Sequence, residues 1–166
     1  MKPPTIPLEK VLALGPACLR VTIPEEYKDT NGHMNMRWYL AIFDDAGDVL
    51  HERLGLTLEF HARHGSGTVD LEHHIHYLSE VMPGDVVEVY ERLVAQSPKR
   101  LHYLLFMVNR TRGKLASIFE CMNAFLDLGS RRTAPFPREI AAAIGAGVEK
   151  STALDWPPPV SGSMKV

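Results

Sequence analysis

An aspartate, a tight turn and a helix entrance fall within nine residues of this 166-residue chain, Tyr27-Lys28-Asp29-Thr30-Asn31-Gly32-His33-Met34-Asn35. A carboxylate in such a place can serve as a general base or as a nucleophile. The first turn of a helix leaves its N–H groups unpaired at a partly positive end, where a developing oxyanion is stabilised. The same residues are also ordinary turn and capping chemistry, since Asp, Thr and Asn favour N-caps and Asn-Gly is itself a turn signal. A calcium loop starting at Asp29 is excluded. Its fifth and twelfth positions would be His33 and Leu40, and neither is an adequate oxygen ligand there.

The element that must position this loop is the helix expected from about Asn35 to Leu54. Tyr39, Ile42, Phe43, Ala46, Leu50 and Leu54 recur at the spacing of one helical face, with Asp44, Asp45, Asp48 and Glu52 mainly elsewhere. Gly55 follows as a C-terminal cap. Strands are expected at Cys18–Ile23, closed by Pro24, and at Thr68–Leu78, where Val69, Leu71, Ile75 and Tyr77 share a face. After a turn at Met82-Pro83-Gly84-Asp85 come a strand from Val86 to about Ala95 and two long apolar strands, Leu101–Asn109 and Leu115–Leu128. A short connection, Thr111-Arg112-Gly113-Lys114, joins that last pair. This is an α+β plan.

Residues Asp29 to Leu40 resemble the helix-entry motif of the hotdog-fold acyl-CoA thioesterases related to 4-hydroxybenzoyl-CoA thioesterase. That pattern is an Asp, two variable residues, Gly-His, a hydrophobic residue, Asn and then an aromatic, here Asp29, Gly32, His33, Met34, Asn35 and Tyr39. The segment from Tyr77 through Met82-Pro83-Gly84-Asp85-Val86-Val87 is similar to the family's strand, Gly-Asp turn and next strand. The resemblance covers about residues 19 to 137. The wording Asp-Thr-Asn-Gly-His-Met-Asn is closer to the branch acting in carnitine and betaine metabolism. The fold so implied is the hotdog, a curved antiparallel sheet around one long central helix.

The resemblance implies hydrolysis of an acyl-CoA thioester, with Asp29 as general base or nucleophile and backbone N–H groups around His33 to Met36 as oxyanion donors. Gly32 permits the turn, Asn35 orients the loop or caps the helix, and His33 ranks behind Asp29 as a base. Met34, Met36, Trp38, Tyr39 and His73 are candidate acyl-group contacts. Trp38 and Tyr39 suit an aromatic acyl group, a quaternary ammonium or simple packing. Lys99 and Arg100, and after them Arg131 and Arg132, are the candidates to meet the phosphates of CoA. The family also implies a homodimer or larger assembly with the active site at a subunit interface, where the strand 69–77 of a partner chain can contribute. Exposed β edges on a single copy point the same way. The rival reading is a hotdog protein that binds acyl-CoA without hydrolysis, or a dehydratase. A binder would lose the carboxylate, and the dehydratase motif is absent.

Eight histidines raise a metal reading, in which Glu72, His74 and His76 share a strand face at ligand spacing. Outward polar residues on a half-buried strand explain the pattern equally, no second cluster matches, and no metal or cofactor is expected. His61 and His64 are expected in a loop. Cys18 and Cys121 are the only cysteines, in no metal or redox spacing, and Cys121 reads as a buried inert thiol. Hydrophobic content of 45%, charged content of 23% and a formal net charge of −2 fit one soluble globular domain and give no basic field for nucleic acid. No run approaches a membrane span and the start lacks the apolar core of a signal peptide, so the expected location is the cytoplasm. The organisation expected is a loose lead-in over 1–16, a hotdog domain over 17–137, and a short helix with an irregular tail over 138–166.

Overall fold

A computed structural model describes residues 5–166; the first four residues of the expected lead-in lie outside the described residues. Four α-helices form among the described residues, α1 Leu8–Leu12, α2 Met36–Arg53, α3 Leu58–His64 and α4 Arg138–Thr152. Six strands form among the described residues: β1 Leu19–Thr22, β2 Ser66–Tyr77, β3 Val86–Gln96, β4 Arg100–Asn109, β5 Lys114–Asp127 and β6 Arg132–Thr133. They make one sheet in the order β1-β3-β4-β5-β2, with β6 paired to β5. This is the α+β architecture of the hotdog fold. No helix among the described residues is long and apolar enough to cross a membrane.

All six apolar positions that define the face of α2 are buried. The helix ends as its sequence demands: Gly55 adopts φ +91°, its N–H donates to the Glu52 carbonyl, and the Leu56 N–H reaches back to His51. β4 and β5 are buried along nearly their whole length, on both faces, which their continuous apolar runs anticipate.

The chain separates into two compact units. The first comprises the described residues up to Val49 with Ile75–Glu91 and Leu105–Phe119. Within it β1 pairs antiparallel with β3, Leu19 opposite Val89, and Phe43 of α2 stacks on Phe119 of β5 with ring centroids 5.1 Å apart. Val11 of α1 is fully buried, so the expected loose lead-in holds a packed helix. The second unit comprises Leu50–His74, Arg92–Leu104 and Glu120–Val166.

Three expectations are corrected in the second unit. His61 and His64 lie on α3, capped by the Thr57 hydroxyl accepting from the Phe60 N–H at 3.0 Å. A helix with one buried apolar residue, Phe60, leaves little periodic signal. α4, expected to be short, runs to Thr152 through Gly145 and Gly147. A Cβ on Gly147 would stand 2.5 Å from Leu93 Cδ1, so glycine is there for close packing. The tail beyond it is packed: Trp156 and Met164 are buried, and the Ser161 N–H donates to Glu120 Oε2 at 2.7 Å. Arg92, itself buried, donates to the carbonyls of Ser151 and Trp156 and lies 4.1 Å over the Trp156 ring.

β2 stands at the end of the sheet, and its expected apolar face is not covered in the single chain. Val69, Leu71 and Tyr77 are all exposed, Leu71 by 48% and Tyr77 by 50%.

Candidate active site

The Asp29 loop is closed by its own backbone. Lys28 and Met34 face each other across an antiparallel bridge, the Asp29 N–H donates to the His33 carbonyl at 2.9 Å, and the Gly32 N–H donates to the Asp29 carbonyl at 3.1 Å. Gly32 holds φ +89°, and an added Cβ would meet nothing within 4 Å. Its requirement is therefore conformational rather than steric. The Asn31 N–H donates to Asp29 Oδ1 at 2.7 Å, which fixes the carboxylate. The other oxygen, Oδ2, lies 3.7 Å from His33 Nδ1, beyond hydrogen-bonding reach. His33 Nδ1 is nearer the Met34 carbonyl, at 3.3 Å.

At the entrance of α2, Asn35 Oδ1 accepts from the Arg37 N–H at 3.1 Å, the capping role expected of it. The Asn35 N–H donates to Tyr27, and the Met34 N–H donates to the Val81 carbonyl at 2.7 Å. Two of the backbone donors expected between His33 and Met36 are therefore already used. Among the described residues, the N–H groups of His33 and Met36 have no acceptor. Met36 is the first residue of α2, so its N–H is one the helix geometry leaves unpaired.

Val81 is held in turn by the Asp85 turn. Asp85 Oδ2 accepts from the Met82 N–H at 2.9 Å, from Asn109 Nδ2 at 2.7 Å and from Arg112 Nε at 2.7 Å. Burial alone would push this carboxyl up. The hydrogen bonds from Arg112, Met82 and Asn109, with the Arg112 charge, outweigh burial and hold it below its ordinary value.

Between these segments, wholly within the first unit, lies a cavity of about 580 Å³. Asp29, His33, Met34, Asn35, Met36 and Tyr39 from the loop and α2 line it together with the segment Tyr77, Leu78, Ser79 and Glu80. The Tyr39 and Tyr77 rings meet edge to face at 5.1 Å. Burial pushes the Tyr39 phenol up to about 12, against a hydrogen bond with the Val81 backbone, while the charges of Tyr77, Glu80 and Asp85 add to the rise. Burial also raises Tyr77. Both phenols are therefore neutral near pH 7. Ser79 Oγ is buried and has no hydrogen-bond partner.

The expected site residues divide cleanly. Asp29, Gly32, His33, Asn35, Met34, Met36 and Tyr39 are brought together at the loop and cavity, with Gly32 shaping the loop rather than lining the space. Trp38 is not a lining residue: it stacks on Tyr27 at 3.8 Å, with Arg37 5.0 Å from its ring centroid, and buttresses the loop. His73, Lys99 and Arg100 do not line the cavity either. His73 is exposed on β2, Lys99 Nζ donates to the Thr133 carbonyl, and Arg100 Nη1 donates to the Lys165 carbonyl at 3.3 Å. His74 Nε2 meets Glu72 Oε1 at 3.3 Å and Ser163 Oγ at 3.2 Å. Among the described residues no three His, Cys, Asp or Glu side chains converge as a metal site. Cys121 is fully buried, and burial raises its thiol far above the ordinary value. Leu78, Ser79 and Glu80 were not among the expected site residues, and Tyr77 was expected only as part of the strand 69–77 of a partner chain.

Comparison with known proteins identifies the family and the fold. A family model described as the thioesterase-like superfamily matches residues 24–144. The betainyl-CoA thioesterase of Pseudomonas aeruginosa is 33% identical over 132 residues, which span 80% of this chain and 83% of that protein. An L-carnitine dehydrogenase/betainyl-CoA thioesterase of Rhizobium meliloti is 29% identical over 91% of this chain, which spans only 30% of that longer protein. Among solved structures, a Staphylococcus aureus protein in complex with CoA superposes with a TM-score of 0.80 at 28% identity, covering 89% of this chain and 93% of that one. A putative thioesterase of Pseudomonas putida gives 0.74 at 29% identity, covering 92% and 98%.

Proposed function

We propose a catalytic assignment for this chain, which belongs to the thioesterase-like superfamily and is an acyl-CoA thioesterase: Asp29 is the catalytic carboxylate and the Met36 N–H the oxyanion donor. One observation carries the assignment. One cavity is lined by both Asp29, whose Oδ2 has no hydrogen-bond donor among the described residues, and Met36 at the helix entrance, whose backbone N–H has no acceptor among them. Thioester cleavage needs both, one to attack the carbonyl carbon or activate water against it and one to hold the carbonyl oxygen.

The Met36 N–H stabilises the oxygen that gains charge as the carbonyl carbon is attacked. Asp29 Oδ2 either takes a proton from the attacking water or bonds to the carbonyl carbon itself. In the second case the C–S bond breaks, CoA leaves as a thiol after protonation, and water then cleaves the anhydride. Asn31 holds Oδ1 so that Oδ2 keeps its aim. Gly32 and the Asn35 cap set the distance between carboxylate and donor.

A homodimer completes the reading. It is supported by the exposed Val69, Leu71 and Tyr77 on an end strand, a row of apolar side chains and open backbone groups that one copy leaves uncovered.

The test is thiol release from a panel of acyl-CoA thioesters by wild type and Asp29→Asn. Betainyl-CoA, the substrate named for the Pseudomonas aeruginosa relative, comes first, followed by neutral short, medium and aromatic esters. Loss of about a hundredfold or more in kcat, with the circular dichroism spectrum and Tm retained, is the expected result. Unchanged turnover would remove Asp29 from the mechanism.

A further inference from the structure

We infer that a second cavity, formed by β3, the end of α4 and the segment after it, is a binding site for a small organic monocarboxylate, with Arg92 as its counter-charge. The cavity has a volume of about 450 Å³ and lies wholly within the second unit. Arg92 and Val94 come from β3, Ser151 and Thr152 from the last turn of α4, and Leu154 to Pro158 from the chain beyond it. None of these residues lines the Asp29 cavity.

Arg92 carries the inference. It is only 4% exposed, and its bonds all go to neutral groups. Nε donates to Ser151 Oγ at 3.0 Å, and Nη2 donates to the carbonyls of Ser151 and Trp156 at 3.2 and 3.0 Å. Together with the Trp156 ring, 4.1 Å from the guanidinium carbon, these bonds tie the end of α4 to the sheet. They leave Nη1 unused. It is buried and has no hydrogen-bond partner among the described residues. No carboxylate among them pairs with the guanidinium either: burial pushes its pKa down, and no neighbouring charge pushes it back. A guanidinium stays protonated all the same, so an uncompensated positive charge stands in the cavity wall. Holding the helix needs no spare donor, whereas an anion would use one. Little water screens a buried charge, so it attracts an anion in the cavity even short of contact.

The rest of the lining fixes the class of anion. Val94, Leu154, Trp156, Pro157 and Pro158 give an apolar surface that suits a hydrocarbon body. Asp155 is the other ionisable residue of the lining, exposed and engaged in an interaction of its own. Its charge works against phosphate or any polyanion and leaves room for one negative charge opposite Arg92. An apolar body with one negative end is an ionised carboxylic acid. Acyl-CoA hydrolysis releases molecules of that class, so the enzyme's own product falls within it.

Calorimetric titration of the whole chain tests this, with hexanoate and phenylacetate as probes beside neutral phenylacetamide and inorganic phosphate. At least one carboxylate is expected to bind with a Kd below about 1 mM, and phenylacetamide and phosphate at least about tenfold more weakly. Val94→Phe and, separately, Leu154→Phe fill the cavity without removing any Arg92 bond. Each is expected to weaken the carboxylate at least about tenfold with Tm retained. Asp29→Asn is expected to leave binding unchanged. Arg92→Gln is expected to abolish it, and the two cavity-filling variants decide the matter if that protein fails to fold. Binding of neither carboxylate at about 10 mM overturns the inference. So does binding that survives both cavity-filling variants, binding that Asp29→Asn abolishes, or an affinity for phenylacetamide or phosphate equal to the carboxylate's.

Discussion

The least conspicuous group in the proposed chemistry is a backbone one. Met36 supplies no side-chain chemistry, and its thioether is 68% exposed. What matters is an N–H that α2 cannot use, because no carbonyl lies four residues earlier on the helix. Proline is tolerated at a first helical position, where the missing N–H breaks no helical bond. Met36→Pro therefore isolates the donor. It is expected to lower kcat by about a hundredfold to a thousandfold while Tm falls little, as read by thiol release beside thermal melting. Met36→Ala, which keeps the N–H, is the control and retains most of the activity. A Met36→Pro enzyme with unaltered kcat would move the oxyanion donor elsewhere, to His33 first.

At the scale of elements, the Asp85 turn positions Val81, whose carbonyl holds the Met34 N–H and with it the Asp29 loop. The Asp85 carboxyl is held below the 3.8 of an unperturbed aspartate. A carboxyl depressed in the folded state stabilises the fold fully above its unfolded value, and that contribution disappears as pH falls through the folded value. Asp85→Asn is accordingly expected to cost about 2 kcal/mol near pH 7, since it replaces the charged acceptor shared by three donors, one of them Arg112, with a neutral amide. The gap between variant and wild type is expected to stay level down to about pH 4 and to narrow below it. Urea titrations over a pH series give both numbers.

How much of this was legible in the sequence follows from how local each signal is. α2 was legible because six apolar residues at helical spacing all turn inward. The Asp29 loop was legible as a turn because Asp29 to Asn35 are bonded chiefly to one another. Its neighbours in the cavity lining were not: residues 77–80 reach the loop through the Met34–Val81 bond, which spans 47 positions and leaves no periodic trace. α3 escaped notice because only Phe60 is buried on it. The end of α4 was misread because glycines that break helices in general can also be the residues a close contact demands.

For the whole molecule, the open question in the chain's own terms is what covers β2. An exposed apolar edge strand is an unstable arrangement for a lone copy in water, and the proposed dimer resolves it by pairing like with like. Leu71→Asp places a charge in the middle of that face. It is expected to weaken self-association at least about tenfold, seen as a monomer in sedimentation velocity, and to lower activity in proportion to the dimer lost. A variant that stays dimeric at high dilution would place the interface on another surface.

The contact between Gly147 and Leu93 has a consequence for descent. Glycine inside a helix costs about 1 kcal/mol relative to alanine, so drift alone would tend to replace it. Here the gap to Leu93 Cδ1 would be only 2.5 Å once a methyl arrived. The two sites therefore share one history. A lineage can acquire alanine at 147 only if the Leu93 side chain swings aside or position 93 shortens, so a change at either site alters what the other tolerates.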